Sequence, residues 1–304
     1  MDLASQLRGC LSLAVPKKGR LHEQCLSLLK GADLVFRRKN RLDIAMVQKL
    51  PVVIVFLPAA DIAKFVGDGN VDMGMTGEDM IAEAGVDGKV IRIAELGFGK
   101  CKLQVQVPQD DGPKTVEELV GGRIVTSFKT LAEKYFAEID KRVLTEEELK
   151  EGKGTKIQYV SGSVEVACAL GLADGVVDLV ESGETMRAAG LHAISTILST
   201  QAILIGNKHP SNPELVTKIS SRILGVVASQ KYVLLNYNIE RVHLKQATLI
   251  TPGRRAPTIS PLEEGDWVEV QAMVLKDEVA RKMDELQTVG AHDILVFNIS
   301  NCRV

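Results

Sequence analysis

The chain has 304 residues, 45% hydrophobic and 25% charged, which is ample for sizeable cores and suggests two or three domains on length alone. Its formal net charge of −2 provides no global field to recruit nucleic acid or an anionic membrane. The longest apolar stretches, such as Val52–Leu57, fall far short of the roughly 20 residues a membrane span needs.

The opening segment, MDLASQLRGCLSLAVPKKGR, has no basic region ahead of its apolar stretch and no clear cleavage site, so no signal peptide is read. Cys10, Cys25, Cys101, Cys168 and Cys302 lie far apart without a CxxC pair. That pattern argues for reduced thiols rather than a disulfide scaffold or a zinc site. The expectation is a soluble, globular, cytoplasmic protein.

In chain order, Leu11–Val15, Val52–Leu57, Leu103–Val107, Arg123–Thr126, Lys156–Val160 and Ala202–Ile205 read as buried strands. Between them Leu21–Lys30, Thr130–Ile139 and Val164–Leu172 carry helical spacing, and the alternation predicts an α/β fold with largely parallel sheets. An internal echo divides this region. Asp72–Met80 reads DMGMTGEDM and Asp178–Met186 reads DLVESGETM, starting 106 residues apart. The strands Leu11–Val15 and Arg123–Thr126 correspond around the same offset, as do Val52–Leu57 and Lys156–Val160. Two related lobes of roughly 90 residues each follow, facing across a cleft where strand ends and helix N-termini converge. Leu191–Ile205 is expected to return the chain to the first lobe, giving a double crossover and a hinge.

From about residue 222 the pattern changes. Tyr232–Asn236 predicts a strand, Ile239–Leu249 a helix, Arg255–Ile259 and Trp267–Leu275 strands, Asp277–Val289 a helix and Ile294–Ile299 a last strand. This is the β-α-β-β-α-β order of ferredoxin-like domains. The expected division is lobe I at 1–99 and 193–221, lobe II at 100–192, and a third domain at 222–304.

The chemistry gathers at the second copy of the echo. A strand over Gly175–Val180 runs into a tight turn at Glu181–Gly183 and a helix from Glu184. Gly183 allows close backbone approach, while Ser182 and Thr185 place hydroxyls beside the free N–H groups of a new helix, which together make an anion site. Asp178, just ahead of the turn, suits ribose hydroxyls better than phosphate. Carboxylate followed by phosphate loop is the order needed for a ribose 5-phosphate; the alternative is that Ser182 or Thr185 is an ordinary helix cap. In the first lobe Lys17, Lys18 and Arg20 flank Gly19 at a helix start, suited to triphosphate or pyrophosphate, or else forming a solvated surface run. Asp72, Gly74, Thr76 and Gly77 are expected by analogy to face the opposite wall and contact nucleotide or pyrophosphate. Arg37, Arg38 and Arg41 are further candidates. Glu165 either orients water around a magnesium ion or caps the helix entered from Ser163. His22, His192, His209, His243 and His292 are isolated, and no Ser-His-Asp, Cys-His or HExxH arrangement appears.

Glu165, Gly171, Ala173, Val176, Asp178, Leu179, Ser182, Gly183, Thr185 and Met186 match the ATP phosphoribosyltransferase signature at every constrained spacing. PKKGRL (16–21), LPAADI (57–62), VDMGMTGED (71–79), LGFGKCKL (96–103) and GGRIVTS (121–127) extend the resemblance, and ATLITPGRRAPTISPL (247–262) and GAHDILV (290–296) resemble that family's regulatory domain. The resemblance is to the long form. It implies two periplasmic-binding-protein-like lobes with a ferredoxin-like regulatory domain, and Mg2+ dependence. It also implies transfer of phosphoribosyl from phosphoribosyl pyrophosphate to N1 of ATP, the first step of histidine biosynthesis, and hexamers that exchange with dimers. Asp178, Glu181, Ser182, Gly183, Glu184 and Thr185 would then grip the phosphoribosyl substrate. Feedback inhibition by histidine would use Asn238, Thr258 and Ala291, between neighbouring regulatory domains. Many relatives carry an acidic residue where this chain has Asn238, so a charge partner for the ligand is missing there. The presence of the third domain argues against a separate synthetase-like subunit. Two other classes fit the scaffold: a solute-binding or sensor protein, which would call for a signal peptide or a helix-turn-helix segment, and a tetrapyrrole-forming deaminase, which would call for a cofactor-bearing cysteine.

Overall fold

The computed structural model describes residues 9–38, 42–263 and 265–303, so Arg41 lies outside the described residues. The first lobe contains β1 (Leu11–Pro16), the first half of α1 (His22–Gly31), β2 (Ile44–Met46), β3 (Val52–Leu57), α2 (Ala59–Gly67), β4 (Met73–Gly77), α3 (Glu78–Ala84) and β5 (Val90–Glu95). The second contains β6 (Cys101–Pro108), β7 (Arg123–Thr126), α4 (Lys129–Val143), α5 (Glu146–Lys150), β8 (Lys156–Tyr159), α6 (Val166–Ala169), β9 (Gly175–Val180), α7 (Glu184–Ala188) and β10 (Leu191–Thr200). The chain then returns through β11 (Ala202–Asn207) to the first sheet, whose order is β2-β3-β1-β4-β11-β5; the second sheet runs β10-β6-β9-β7-β8.

The internal echo is topological as well as textual. β1 lies between β3 and β4, and β7 between β8 and β9, with parallel pairing throughout both triplets. An antiparallel strand reaching over from the other half of the chain adjoins each triplet: β11 beside β4, and β6 beside β9. This is the double crossover of periplasmic-binding-protein folds. Parallel pairing stops at these triplets, so the sheets are mixed rather than largely parallel. Leu191–Ile205 is also two strands: β10 stays in the second sheet on β6, and only β11 returns. Gln201 alone separates them, with no glycine or proline to mark the break.

Each lobe is held by its own core. In the first, Ile62 and Val66 of α2 meet Ile81 of α3 and Ile205 of β11. In the second, α4 buries Ala132, Phe136 and Ile139, at helical spacing, against Leu103, Val105 and Ile124.

A second compact unit comprises Ser27–Val35 and the chain from Thr217 onward, beginning within α8 (Pro213–Lys231) rather than at residue 222. It contains β12 (Tyr232–Glu240), α9 (Leu244–Ile250), β13 (Thr258–Pro261), β14 (Trp267–Leu275), α10 (Val279–Thr288) and β15 (His292–Asn298). The sheet order β13-β14-β12-β15, antiparallel throughout, is the ferredoxin-like arrangement. β12 runs on to Glu240 because Val233, Leu235, Tyr237 and Ile239 alternate inward, so the expected helix starts later, at Leu244. The expected strand at Arg255–Ile259 forms a few residues downstream, as β13.

Candidate active site

The turn between β9 and α7 is built by two conflicting demands. Val176 and Val177 are fully buried in the sheet, whereas Glu181 and Ser182 are charged or polar and cannot follow them inward. The strand therefore stops at Val180, and Gly183, at φ 76°, reverses the chain into α7. Ser182 Oγ accepts the Glu184 N–H at 3.4 Å, and Arg187 Nη2 donates to the Ser182 carbonyl at 3.1 Å. The helix-capping alternative is thus only weakly realised. The turn is open: Glu181, Ser182, Glu184 and Thr185 are exposed, with only the Gly183 backbone buried.

A cavity of about 240 Å³ lies against this turn, lined by Asp178 and by Glu181 to Thr185, with Glu165, Gln106 and Cys101 alongside and Arg20 reaching in from the first lobe. The structure thus brings together all six residues assigned to the phosphoribosyl group. Burial raises the Asp178 carboxyl above its ordinary value; the Leu179 N–H, donated at 2.8 Å, opposes this and the nearby Glu165 adds to it. A ligand that donates hydrogen bonds to Asp178 would relieve that cost. Burial likewise pushes the Cys101 thiol up to about 11, with Arg20 opposing and Asp79, Glu181 and Asp178 adding. Glu165 occupies the cap position of α6 but makes no side-chain capping bond, which leaves its carboxylate on the cavity wall.

Across the same turn is a larger cavity of about 670 Å³, whose lining includes Lys100, Lys102 and Arg187 with Glu78, Glu95 and Gln104. Three of these cations went unassigned in the sequence, although Lys100 and Lys102 flank Cys101 in the LGFGKCKL motif. Their signal was present: basic residues beside a glycine-bearing crossing between lobes.

The first-lobe expectations divide. Arg20 lines the smaller cavity and donates from Nη1 to the Gly99 carbonyl at 2.7 Å. Gly19, at φ 93°, makes the bend before it. Lys17 instead pairs with Asp43 at 2.7 Å, and Arg38 joins the same carboxylate at 3.0 Å while its guanidinium sits 4.0 Å from the Phe56 ring centre. Arg37 is exposed, with no role shown. The analogy that placed Asp72, Gly74, Thr76 and Gly77 on the opposite wall fails. Asp72 accepts from the backbone N–H and hydroxyl of both Ser12 and Ser211, at 2.7–2.9 Å. Burial alone would raise its carboxyl, but these donors outweigh it and hold the group below its ordinary value. At Gly74 a Cβ would lie 2.6 Å from Ile62, Thr76 is fully buried, and at Gly77 a Cβ would collide with the Asp79 carboxylate. These residues build the strand, and neither cavity is lined by them.

In the second unit Asn238 and Thr258 share the open face of the sheet, but Asn238 is in register with Glu269 and Thr258 with Gln271, one strand further out. They do not meet within one chain. Asn238 Nδ2 donates to Asp293 Oδ2 at 3.1 Å, so a carboxylate stands beside the amide after all. Ala291 is 6% exposed, with its side chain in the core and its N–H donated to the Leu286 carbonyl, which leaves its own carbonyl as the group free for a ligand.

Among the described residues no group of three or more His, Cys, Asp or Glu is placed to hold a metal, and no helix is long and apolar enough to cross a membrane.

Comparison with known proteins identifies the family. The HisG ATP phosphoribosyltransferase family model matches residues 58–225, and the HisG C-terminal domain model matches residues 229–301. ATP phosphoribosyltransferases of Yarrowia lipolytica, Schizosaccharomyces pombe and Saccharomyces cerevisiae are 56%, 53% and 51% identical to the chain, over the full length of both partners in each case. In fold, a chain of the ATP phosphoribosyl transferase (HisG:HisZ) complex from Thermotoga maritima superposes with a TM-score of 0.58 at 23% identity, covering 98% of that chain and 72% of this one. With the catalytic and C-terminal family models both accounted for and full-length relatives above half identity, the chain belongs to the ATP phosphoribosyltransferase family.

Proposed function

We propose that the protein transfers the phosphoribosyl group of phosphoribosyl pyrophosphate to N1 of ATP, releasing pyrophosphate and opening histidine biosynthesis, under feedback inhibition by histidine. The observation that carries this reading is the exposed turn Glu181–Thr185, open to a cavity with Asp178 one step behind it. Ser182, Gly183 and Thr185 bind the 5-phosphate through hydroxyls and first-turn N–H groups, and Asp178 accepts from the ribose hydroxyls. N1 of adenine attacks with a neutral lone pair, so no group need remove a proton first. C1 gains oxocarbenium character as pyrophosphate departs, and the site's work is to align the two substrates and stabilise the leaving charge. Arg20, Lys100, Lys102 and Arg187 are the cations available for the phosphates of both substrates.

The carboxylates of the smaller cavity suit Mg2+ arriving on the diphosphate, since Mg2+ is commonly held by one or two carboxylates together with substrate phosphates. Glu165, on the wall of that cavity, is the residue that would meet it. Its contribution would be to neutralise charge on the leaving pyrophosphate. Histidine would bind between regulatory domains of neighbouring copies, at Asn238 and Thr258, with Asp293 supplying the charge. A hexamer exchanging with dimers, and a cytoplasmic location, complete the reading.

The test is to incubate the purified chain with ATP, phosphoribosyl pyrophosphate, Mg2+ and pyrophosphatase and follow the absorbance change of N1-substituted adenine. Product formation that histidine suppresses is expected. Tight binding of either substrate with no product would favour a binding protein and overturn the proposal.

A further inference from the structure

The helix α3 is the counterpart of α7, yet it lines the smaller cavity nowhere and faces the other lobe instead. Asp79, 2% exposed, accepts from the Thr200 hydroxyl at 2.6 Å and its N–H donates back to the same oxygen at 3.0 Å, tying α3 to the end of β10 where the chain recrosses. Met80 packs against the cores of both lobes. One helical turn beyond Asp79 is Glu83, whose two carboxylate oxygens accept the N–H groups of Thr130 and Leu131, each at 2.9 Å. Those are first-turn donors of α4, in the second lobe. The residue at the α4 cap position is Phe128, which cannot accept them and makes no side-chain capping bond.

We propose that Glu83 is a positioning residue for phosphoribosyl transfer: a carboxylate of the first lobe that caps a helix of the second and so fixes the separation of the two cleft walls. The geometry supports a latch more than a cap alone. The Asp79–Thr200 pair and the Met80 contact hold α3 near the crossing strands, while Glu83 seizes a rigid 15-residue helix that packs directly on the β7 and β6 core. Both oxygens are engaged, which restricts rotation as well as distance. The negative charge also meets the positive end of the α4 dipole. Releasing it frees the second lobe, which carries the Ser182–Thr185 turn, to move relative to Arg20 in the first. Misalignment of about 1 Å in such a site is enough for a loss on the order of 100-fold in rate.

This role rests on the proposed transfer reaction, so the test has one readout that does not. Spin labels carried on unnatural amino acids at exposed Lys64 in the first lobe and exposed Lys141 in the second report lobe separation by pulsed electron resonance without turnover. Glu83→Ala is expected to broaden or shift that distance distribution and to lower kcat/KM for phosphoribosyl pyrophosphate at least tenfold. Thr130→Asp, added to Glu83→Ala, gives α4 a negative charge from its own lobe. It is expected to recover the thermal midpoint while leaving the distances broadened and kcat/KM low. A distance distribution unchanged in Glu83→Ala would overturn the latch, as would full recovery of kcat/KM by Thr130→Asp, which would mean simple helix capping. If the wild-type chain transfers no phosphoribosyl group, the reaction assignment fails, and the distance arm still decides whether Glu83 holds the lobes.

Discussion

Asp72 and Asp178 occupy the same place in the repeated pattern, and replacing each by alanine should produce opposite phenotypes. Asp72 accepts four hydrogen bonds. A bond to a charged group is worth about 1.5–3 kcal/mol in isolation. The two from Ser211 are exposed, and water replaces them at little cost. The two from Ser12 are part-buried, so Asp72→Ala should destabilise by about 3 kcal/mol in all. For a unit of just over 200 residues each kcal/mol moves the midpoint by about 2–4 °C, hence a fall of about 6–12 °C by calorimetry. Because the folded-state carboxyl lies below its ordinary 3.8, this stabilisation is present above that pH and fades as pH falls through the lowered folded value. Asp178→Ala should leave the midpoint unchanged or higher, since it removes a charge whose burial is costly; that gain exists at neutral pH and disappears where both states are protonated. Its KM for phosphoribosyl pyrophosphate should rise roughly 10–150-fold, from loss of about 1.5–3 kcal/mol of bonding to the ribose. Wild-type stability in Asp72→Ala, or wild-type saturation in Asp178→Ala, would refute the division of roles.

Gly183→Ala puts a side chain at φ 76°, costing about 1–2 kcal/mol, and its Cβ would sit 2.7 Å from Arg187 Nη1, a flexible end that can yield. Substrate binding should weaken roughly 5–30-fold, with the second unit's unfolding unaffected; titration calorimetry reads the first and hydrogen exchange the second. At the proposed histidine site, Asp293→Asn should raise the histidine concentration for half-inhibition roughly tenfold by removing the charge beside Asn238. An unchanged inhibition curve would place the effector's ammonium elsewhere.

Much of the fold was legible because it is written in burial patterns. β3 and the Ala202–Ile205 stretch of β11 are unbroken apolar runs, and β1 is interrupted only by Ser12, as parallel or fully covered strands require, while the strict alternation of β12 and β14 announces a sheet with one open face. The break at Gln201 was not legible, since two strands that continue into different sheets need no turn residue between them. Nor could Lys17 be separated from Arg20 in KKGR: only the position of Asp43, 26 residues on, decides that Lys17 is paired at the surface while Arg20 turns to the cavity.

The failed analogy between the two copies of the motif has a cause that was in the sequence. Aligned on their aspartates, the copies place Met75 where the second has Glu181. Met75 is fully buried, so β4 continues through Thr76 to Gly77 and passes directly into α3, with Gly77 at an ordinary extended φ of −84°. Glu181 cannot be buried there, so β9 ends at Val180 and the chain needs a left-handed glycine to turn outward. One apolar-to-acidic difference thus separates a sealed strand–helix junction from an open turn on a cavity wall. The sealed junction leaves α3 anchored at its base, which is the condition for Asp79, Met80 and Glu83 to bear on the other lobe. The open one leaves α7 exposed to the cavity. On this account Glu181→Met should pull the turn toward the buried form of the first lobe and weaken binding of phosphoribosyl pyrophosphate, read by titration calorimetry, although Ser182, Gly183 and Thr185 are all retained.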